Sequence, residues 1–391
     1  MWPDIAKIIS VFSLVYGFNV HAMNLHGFLG IDVIDFVNTE NTMDEAFSVV
    51  GELRSRGELS ENLNYNLRLY GQKGINEYTE GYFDPTIAKI NWIGDSYQID
   101  VGYDLIYWGV TEGINVINII NQRDQIRDYF QKQGLGQSMV AVSYFEDSVT
   151  VDGYILPRFE ELNYGGTQRP WGLGLPVDAS QSTYESSKGK NHTDYAARIS
   201  GMLDDLEFGF VYFNGTYRQP IYKVDGEIEN LAPHYVLGNT FGLDAQYIMD
   251  SNIYKFELGY FKPNSYDSYV STTFGVERTL GSSWFGEGES TVYAEYYYDS
   301  RQDDNTVAFQ NDIFLAYKYT TYNVYDLETT IGGIIDTQYG GVIGTLEITG
   351  KLTNNIKVSV ELIYFNSSDP NDALFYSNDF DQLSFNAHWY F

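Results

Sequence analysis

The chain has 391 residues, with 23 Lys plus Arg against 53 Asp plus Glu, a formal net charge of −30 and no cysteine. Without cysteine there is no disulfide framework, thiolate metal site or thiol nucleophile, and without excess positive charge nothing replaces the counterions of a nucleic-acid backbone. An aromatic content of 17%, with 35 tyrosines and 37 glycines, excludes a solvated acidic tail and suits β-structure meeting both lipid and water.

Residues 1–22 read as a secretory signal peptide. Lys7 gives a thin positive flank, Ile8 to Val20 an apolar stretch, and Val20-His21-Ala22 small residues for cleavage. A membrane anchor is the alternative, but the run is short for a spanning helix and is interrupted by Asn19. No later apolar run reaches helix-spanning length, so any crossing of a membrane must use strands. The remainder, 23–391, is expected to form one barrel domain.

From there the chain alternates with a period of two. Tyr65, Leu67 and Leu69 oppose Asn64, Asn66 and Arg68. Between Asp95 and Tyr107, the residues Tyr97, Ile99, Val101, Tyr103, Leu105 and Tyr107 oppose Gln98, Asp100, Gly102 and Asp104. Such segments carry one apolar and one polar face. A soluble sandwich would bury the apolar face. Segments of about 10 to 13 residues, with glycines and charges on the polar face, favour the inverse: a barrel with its apolar face in lipid. Tight turns are expected at Gly94–Asp95, Asp147–Ser148, Asp204–Asp205, Ser251–Asn252 and Asn354–Asn355. Long connections alternate with them at 108–137, 159–191, 215–237 and 366–379. Counting in this way predicts an all-β transmembrane antiparallel barrel of about 18 strands, with short periplasmic turns and long extracellular loops. Because 44–57 and 84–93 are the least regular segments, 16 strands is the alternative count.

Alternation stops after Tyr107 in a run that holds Trp108, Gly109, Gly113, Asn115, Val116 and Asn118. This Trp-Gly-x-x-x-Gly-x-Asn-Val-x-Asn pattern resembles a poorly characterised family of large, porin-like Gram-negative outer-membrane barrels near the alginate-export type. Asp128-Tyr129-Phe130 to Met139-Val140 and Ile155-Leu156-Pro157-Arg158-Phe159 share the likeness, which covers roughly residues 96–175 and the last strand. It implies an outer-membrane channel and no particular solute. Residues 108–136 are too polar to cross lipid. Gln122 to Gln133 carries Arg123, Asp124, Arg127, Asp128 and Lys132 at helix-like spacing. Either the segment folds into the lumen, where Glu112, Arg123, Asp124 and Arg127 narrow the pore, or it forms a solvated extracellular helix. Residues 159–191, with Gly165-Gly166 and Arg169-Pro170-Trp171-Gly172, are a second candidate for an inward fold.

Further along, Tyr254, Phe256, Leu258 and Tyr260 oppose Lys255, Glu257 and Gly259, while Ile356, Val358, Val360, Leu362 and Tyr364 oppose Lys357, Ser359 and Glu361. Parity thus assigns Arg68, Asp100, Asp104, Arg198, Glu207, Lys255, Glu257, Glu295, Lys357 and Glu361 to the lumen. Acids outnumber bases there, so mild cation preference is expected. Aromatics at strand ends (Tyr103 and Tyr107, Tyr296 to Tyr298, Trp389 to Phe391) suit interfacial girdles. In the last strand Leu383, Phe385, Ala387, Trp389 and Phe391 alternate with polar residues. Leu383, Phe385, Trp389 and the terminal Phe391 resemble the signal read by the barrel-assembly machinery.

No catalytic motif is present. His192 with Asp194 is half a catalytic pair and equally a turn. Asp303-Asp304 and Asp369, Asp372, Asp379 and Asp381 match no calcium loop. The expectation is therefore a non-enzymatic channel in the Gram-negative outer membrane for small hydrophilic solutes, with no cofactor and no metal. Its surroundings would be outer-membrane lipid and lipopolysaccharide, its oligomeric state is open, an exporter for a polysaccharide or lipid with a periplasmic partner is the alternative, and an outer-membrane hydrolase is the less favoured third reading.

Overall fold

A computed structural model describes residues 24–37, 45–76, 79–127, 133–164, 175–224, 230–283, 286–302, 307–378 and 380–391. The expected signal peptide, Asp128-Tyr129-Phe130, Lys132, Gly165-Gly166, Arg169 to Gly172, Asp303-Asp304 and Asp379 lie outside these residues.

The chain runs through β1 (Leu25–Val37), β2 (Glu45–Ser60), β3 (Leu63–Gly74), β4 (Tyr82–Ile93), β5 (Tyr97–Asp104), β6 (Gln137–Glu146) and β7 (Val149–Leu156). After β8 (Thr183–Tyr184) come β9 (Asp194–Leu203), β10 (Leu206–Thr216), β11 (Ile221–Val224), β12 (Leu231–Tyr235), β13 (Leu237–Met249) and β14 (Asn252–Pro263). The last third holds β15 (Tyr269–Ser283), β16 (Gly286–Asp299), β17 (Asn311–Thr321), β18 (Glu328–Asp336), β19 (Val342–Thr353), β20 (Ile356–Asn366) and β21 (Asp381–Tyr390). All except β8, β11 and β12 join one 18-stranded sheet, antiparallel throughout, which closes where β1 pairs with β21 from Phe28↔Tyr390 to Val37↔Asp381. Closure leaves no open edge, the condition for strands in lipid. The two least regular sequence segments are full strands, β2 and β4.

Hairpin turns at one end are encoded by aspartates. Asp147, Asp204 and Asp250 adopt φ of 47°, 51° and 54°, a left-handed conformation that Asp tolerates because its short side chain bonds locally. The turn expected at Ser251–Asn252 lies one residue earlier, with Asn252 already opening β14. The first and last strands of the barrel meet at this short-turn rim, where Gly27 and Phe391 exchange backbone hydrogen bonds of 3.2 and 3.1 Å. The opposite rim carries the long connections. There β8, β11 and β12 form a small sheet over a cluster of Leu162, Tyr164, Val177 and Leu231.

The wall is inside-out relative to a soluble protein. Leu29, Phe210, Phe274 and Ile331 stand more than half exposed on the outer face, while Asp100, Asp104, Asp244 and Glu257 are buried on the inner face. Apolar side chains on a closed exterior need hydrocarbon around them, and the alternate residues then point into the lumen. Leu383, Phe385, Trp389 and Phe391 are likewise outward and exposed. The inner face is not uniformly polar, however. Met139, Ala141, Leu156, Val211, Phe213 and Phe261 form an apolar inner patch against Trp108, Val116, Ile117 and Ile120. The patch exists because the segment after β5 brings its own apolar face into the barrel.

Candidate functional site

The clean alternation of β5 continues on paper to Tyr107, but the strand ends at Asp104. Gly102 has φ +137°, and a Cβ there would lie 2.2 Å from the Ala88 carbonyl oxygen, so the strand bends where only glycine fits. Two residues beyond the strand, the Ile106 amide donates to Asn121 Oδ1 at 2.8 Å instead of to a neighbouring strand. Leu105 to Tyr107 therefore leave the wall, and Tyr107 is not part of the outer girdle. Its hydroxyl accepts from Asn115 Nδ2 at 3.3 Å.

From here the chain crosses the lumen. Its irregular backbone needs partners for every buried amide, and two carboxylates on the far wall supply them. Glu257 on β14 is wholly buried. Its Oε1 accepts from the amides of Val110 (2.7 Å) and Thr111 (2.8 Å), from Thr111 Oγ1 (2.7 Å) and from Asn115 Nδ2 (3.0 Å). Its Oε2 accepts from the amides of Val116 (2.7 Å) and Ile117 (3.3 Å). Glu295 on β16 accepts from the amides of Glu112 and Gly113 at 2.8 and 2.9 Å. Charge-assisted bonds of this kind are the strong ones. Glu257 and Glu295 are thus anchors beneath the segment rather than charges on a free wall.

Each residue of the tryptophan–glycine motif has a place in this crossing. Trp108 is buried, edge-on to Tyr154 with centroids 5.7 Å apart. Gly109 has φ +103°, and a Cβ there would meet Asn115 Nδ2 at 2.1 Å and Glu257 Oε1 at 2.6 Å. Val116 belongs to the apolar cluster. The asparagines replace missing secondary structure: Asn115 Oδ1 accepts from the Asn118 amide, Asn118 Oδ1 from the Trp108 amide, and Asn121 Nδ2 donates to the Asp104 and Leu135 carbonyls. The return leg is fastened by Asp84 on β4, which accepts from the Gly136 amide at 3.0 Å.

Past the crossing, Arg123 bridges to Gly134, and 125–127 form a turn, so the described part of Gln122 to Gln133 is not a helix. Asp124 is fully buried, accepting from Tyr82 Oη at 2.6 Å and Asn163 Nδ2 at 2.8 Å and paired with Arg127. Arg127 lies over the Tyr70 ring at 4.2 Å. Burial acts to lower its pKa, but Asp124, with the Tyr82 and Tyr70 hydroxyls, outweighs burial and raises it, so it stays cationic. From the 217–236 connection, Arg218 locks the segment from above: its Nε donates to the Ile120 carbonyl, and its own carbonyl accepts from Gln122 Nε2, both at 2.8 Å.

The other lumenal charges are mostly paired. Lys89 sits between Asp100 (3.0 Å) and Asp104 (2.6 Å), Arg198 forms a two-pronged pair with Asp244, and Glu207 accepts from Gln246 at 2.6 Å. Arg68 pairs with Glu52 at 2.7 Å. Lys255 reaches Glu112 at 2.9 Å and Glu277 at 2.7 Å, and half of the Glu112 side chain remains exposed. Lys357 is exposed opposite His388, and Glu361 lines a small cavity with Arg68 and Asp32. The structure thus gathers Glu112, Lys255, Glu257 and Glu295 at one level and places the others around the wall.

Lys89, Asp244, Glu277, Tyr82, Asn163 and Arg218 were not among the expected site residues. Of the missed interactions, only those of the asparagines had a visible signal, their spacing of three at Asn115, Asn118 and Asn121. His192 Nδ1 lies 2.8 Å from Asp194, which also accepts from the Thr216 amide and pairs with Arg218. The pair is therefore a turn brace. Asp369, Asp372 and Asp381 accept from the amides of Asn371, Leu374 and Phe365, and among the described residues no three acidic or histidine groups converge on a metal position.

No protein-family model and no curated protein matches the chain. Solved structures do match. The chain is similar to OccD3 (OpdP) of Pseudomonas aeruginosa at 10% identity, covering 96% of this chain and 92% of that one, with a TM-score of 0.54. Similarity to Wzi of Escherichia coli, an outer-membrane carbohydrate-binding β-barrel involved in group 1 capsule assembly, gives 10% identity, 98% and 86% coverage and a TM-score of 0.55. For OccAB4 of Acinetobacter baumannii the values are 9%, 95%, 98% and 0.53. At these identities the likeness is one of fold, and the fold is a closed 18-stranded antiparallel barrel of the outer-membrane type.

Proposed function

We propose that this protein is a porin-like channel in the outer membrane of a Gram-negative bacterium, through which small hydrophilic solutes diffuse past a constriction formed by the described residues 105–127 and 133–136. The observation that carries this reading is the lumen-crossing segment, held by Glu257 and Glu295 inside a barrel whose exterior is apolar. Irregular backbone at membrane depth is stable only when protein or a water-filled passage surrounds it. The motif residues Trp108, Gly109, Gly113, Asn115, Val116 and Asn118 all belong to this segment, which supports the likeness to motif-bearing porin-like barrels.

Selectivity follows from the charges at the crossing. Lys255 pairs with Glu112 and Glu277, while the carboxylates of Glu257 and Glu295 are occupied by backbone amides of the segment. Of these, Glu112 has the most exposed carboxylate beside Lys255, so it dominates the field felt by a passing ion. Mild cation preference is expected. Reversal potentials in a salt gradient test this: Glu112→Gln should move the potential toward zero, and anion preference in the unaltered protein would overturn the reading.

The exporter alternative has one observation in its favour. The 322–327 turn at the short-turn rim exposes Tyr322, Val324 and Tyr325, which would suit a periplasmic partner. The outward Leu383, Phe385, Trp389 and Phe391 fit recognition by the barrel-assembly machinery.

A further inference from the structure

The outer wall carries a feature unrelated to the lumen. Across β14–β17 the lipid-facing side chains are mostly large, and Tyr254, Phe274, Tyr296 and Leu315 stand 41–57% exposed. Val276, Val292 and Ala294 lie among them on the same face, since Tyr254 is opposite Val276, Val276 opposite Ala294 and Ala294 opposite Leu315. The shorter side chains leave a depression of about 600 Å³ in the wall.

Arg278 stands at one end of this depression. It follows Val276 on the outer face of β15, and its register partner is Asn252, the first residue of β14. The next amide, that of Thr279, donates to the Ser251 carbonyl in the adjoining turn at 3.1 Å. Arg278 is therefore level with the short turns, which in an outer-membrane barrel mark the periplasmic boundary of the bilayer. Arg68, Arg198 and Arg301 are each paired with a carboxylate. Arg278 is exposed, with no hydrogen-bond or ion-pair partner among the described residues.

An arginine on the lipid face costs free energy that falls away toward the interface, and its long side chain reaches for the headgroup layer. There it meets phosphate, which a planar guanidinium binds through two parallel hydrogen bonds. The depression runs from the same residue toward the membrane interior. A lipid whose phosphate sits on Arg278 can therefore lay an acyl chain over Val276, Val292 and Ala294. The wall of a second copy would rest on the surrounding rings and leave that floor without contact atoms, whereas a flexible chain fills it. We infer that this groove is a site for one phospholipid of the periplasmic leaflet, held by its phosphate on Arg278 and by an acyl chain over Ala294. The inference needs the barrel in its membrane and is independent of the channel reading.

The test uses the full-length barrel folded in detergent, with retained lipid counted by native mass spectrometry. The probes are phosphatidylglycerol, diacylglycerol with the same chains, and inorganic phosphate. One phosphatidylglycerol should be retained at a concentration where diacylglycerol is not, and inorganic phosphate should not displace it. Arg278→Gln should raise the half-saturating phosphatidylglycerol concentration about tenfold, the equivalent of about 1.4 kcal/mol. Ala294→Phe keeps the guanidinium but fills the floor, and should weaken retention by a similar factor. The two changes lie on different strands, so one variant serves should the other fail to assemble, and the gel shift between unheated and heated samples reports assembly. Equal retention of phosphatidylglycerol and diacylglycerol would overturn the site, as would displacement by inorganic phosphate or unchanged retention in the assembled variants. A barrel dimer that excludes the lipid would give the groove to a second copy and likewise overturn it.

Discussion

Replacing Glu257 is the sharpest probe of the crossing segment. Its carboxylate accepts four backbone amides, a threonine hydroxyl and an asparagine amide, and of these donors Thr111, Val116 and Ile117 are buried. Hydrogen bonds to a charged acceptor contribute roughly 1.5 to 3 kcal/mol each. Taking only the three amide bonds at 2.7–2.8 Å, Glu257→Ala removes about 5 to 9 kcal/mol if nothing re-pairs, an upper bound because such terms are not additive. Against this, burial of Ile117 and Ile120 holds the segment by roughly 1.5 to 3 kcal/mol each, and the Glu295 pair of amides remains. The two sides are of similar size, so residues 109–117 should leave the far wall part of the time while the barrel stays closed. Single-channel recording should then show larger and noisier conductance steps. Glu257→Gln should give a smaller effect of the same sign, because its amide NH₂ must face the Val116 or Val110 donors. Wild-type step size and noise in both variants would refute the claim that this carboxylate holds the constriction.

Two other perturbations follow from the structure. Asp312 and Asp336 face each other directly across β17 and β18, both buried, and each has an oxygen without a hydrogen-bond partner. Like charges opposite one another destabilise a sheet, so Asp312→Asn, which keeps an acceptor for the Gln310 amide, should raise the barrel's apparent melting temperature by the equivalent of about 1 kcal/mol; a lower melting temperature would contradict this. In the small sheet at the long-loop rim, His234 Nδ1 lies 2.8 Å from Thr183 Oγ1. Burial, with nearby Lys223 adding to it, lowers its pKa below the ordinary 6.5. The unfolded segment then binds the proton more readily than the folded one. The stabilisation is present above the ordinary value and is lost as pH falls through the lowered one. The protection factors of the Ile221–Val224 amides, that is their exchange relative to the intrinsic rate at each pH, should fall as pH drops below the ordinary value of about 6.5; unchanged or higher protection would refute it.

The barrel was legible because its grammar is local. Alternation at Tyr97 to Val101 or Ile356 to Tyr364 needs only the neighbouring residues, since successive strand side chains point to opposite faces. The aspartate turns at 147, 204 and 250 and the aromatic last strand are equally short-range. Parity also assigns charges to one face of each strand. Parity does not say what a side chain meets there. Glu257 meets Val110 across 147 positions of sequence and Glu295 meets Glu112 across 183, and no periodicity within either segment encodes that encounter. For the same reason, the sequence left open whether 108–136 enters the lumen or lies outside it, and it placed Tyr107 on the wall that Gly102 and Asn121 draw it away from. Composition and pattern determined a lipid-facing barrel, because they record which solvent each face was selected for. Closure of the sheet decided which acids became buried anchors and which became ion pairs, with Glu112 half exposed beside Lys255, because it alone sets which distant residues stand within bonding distance.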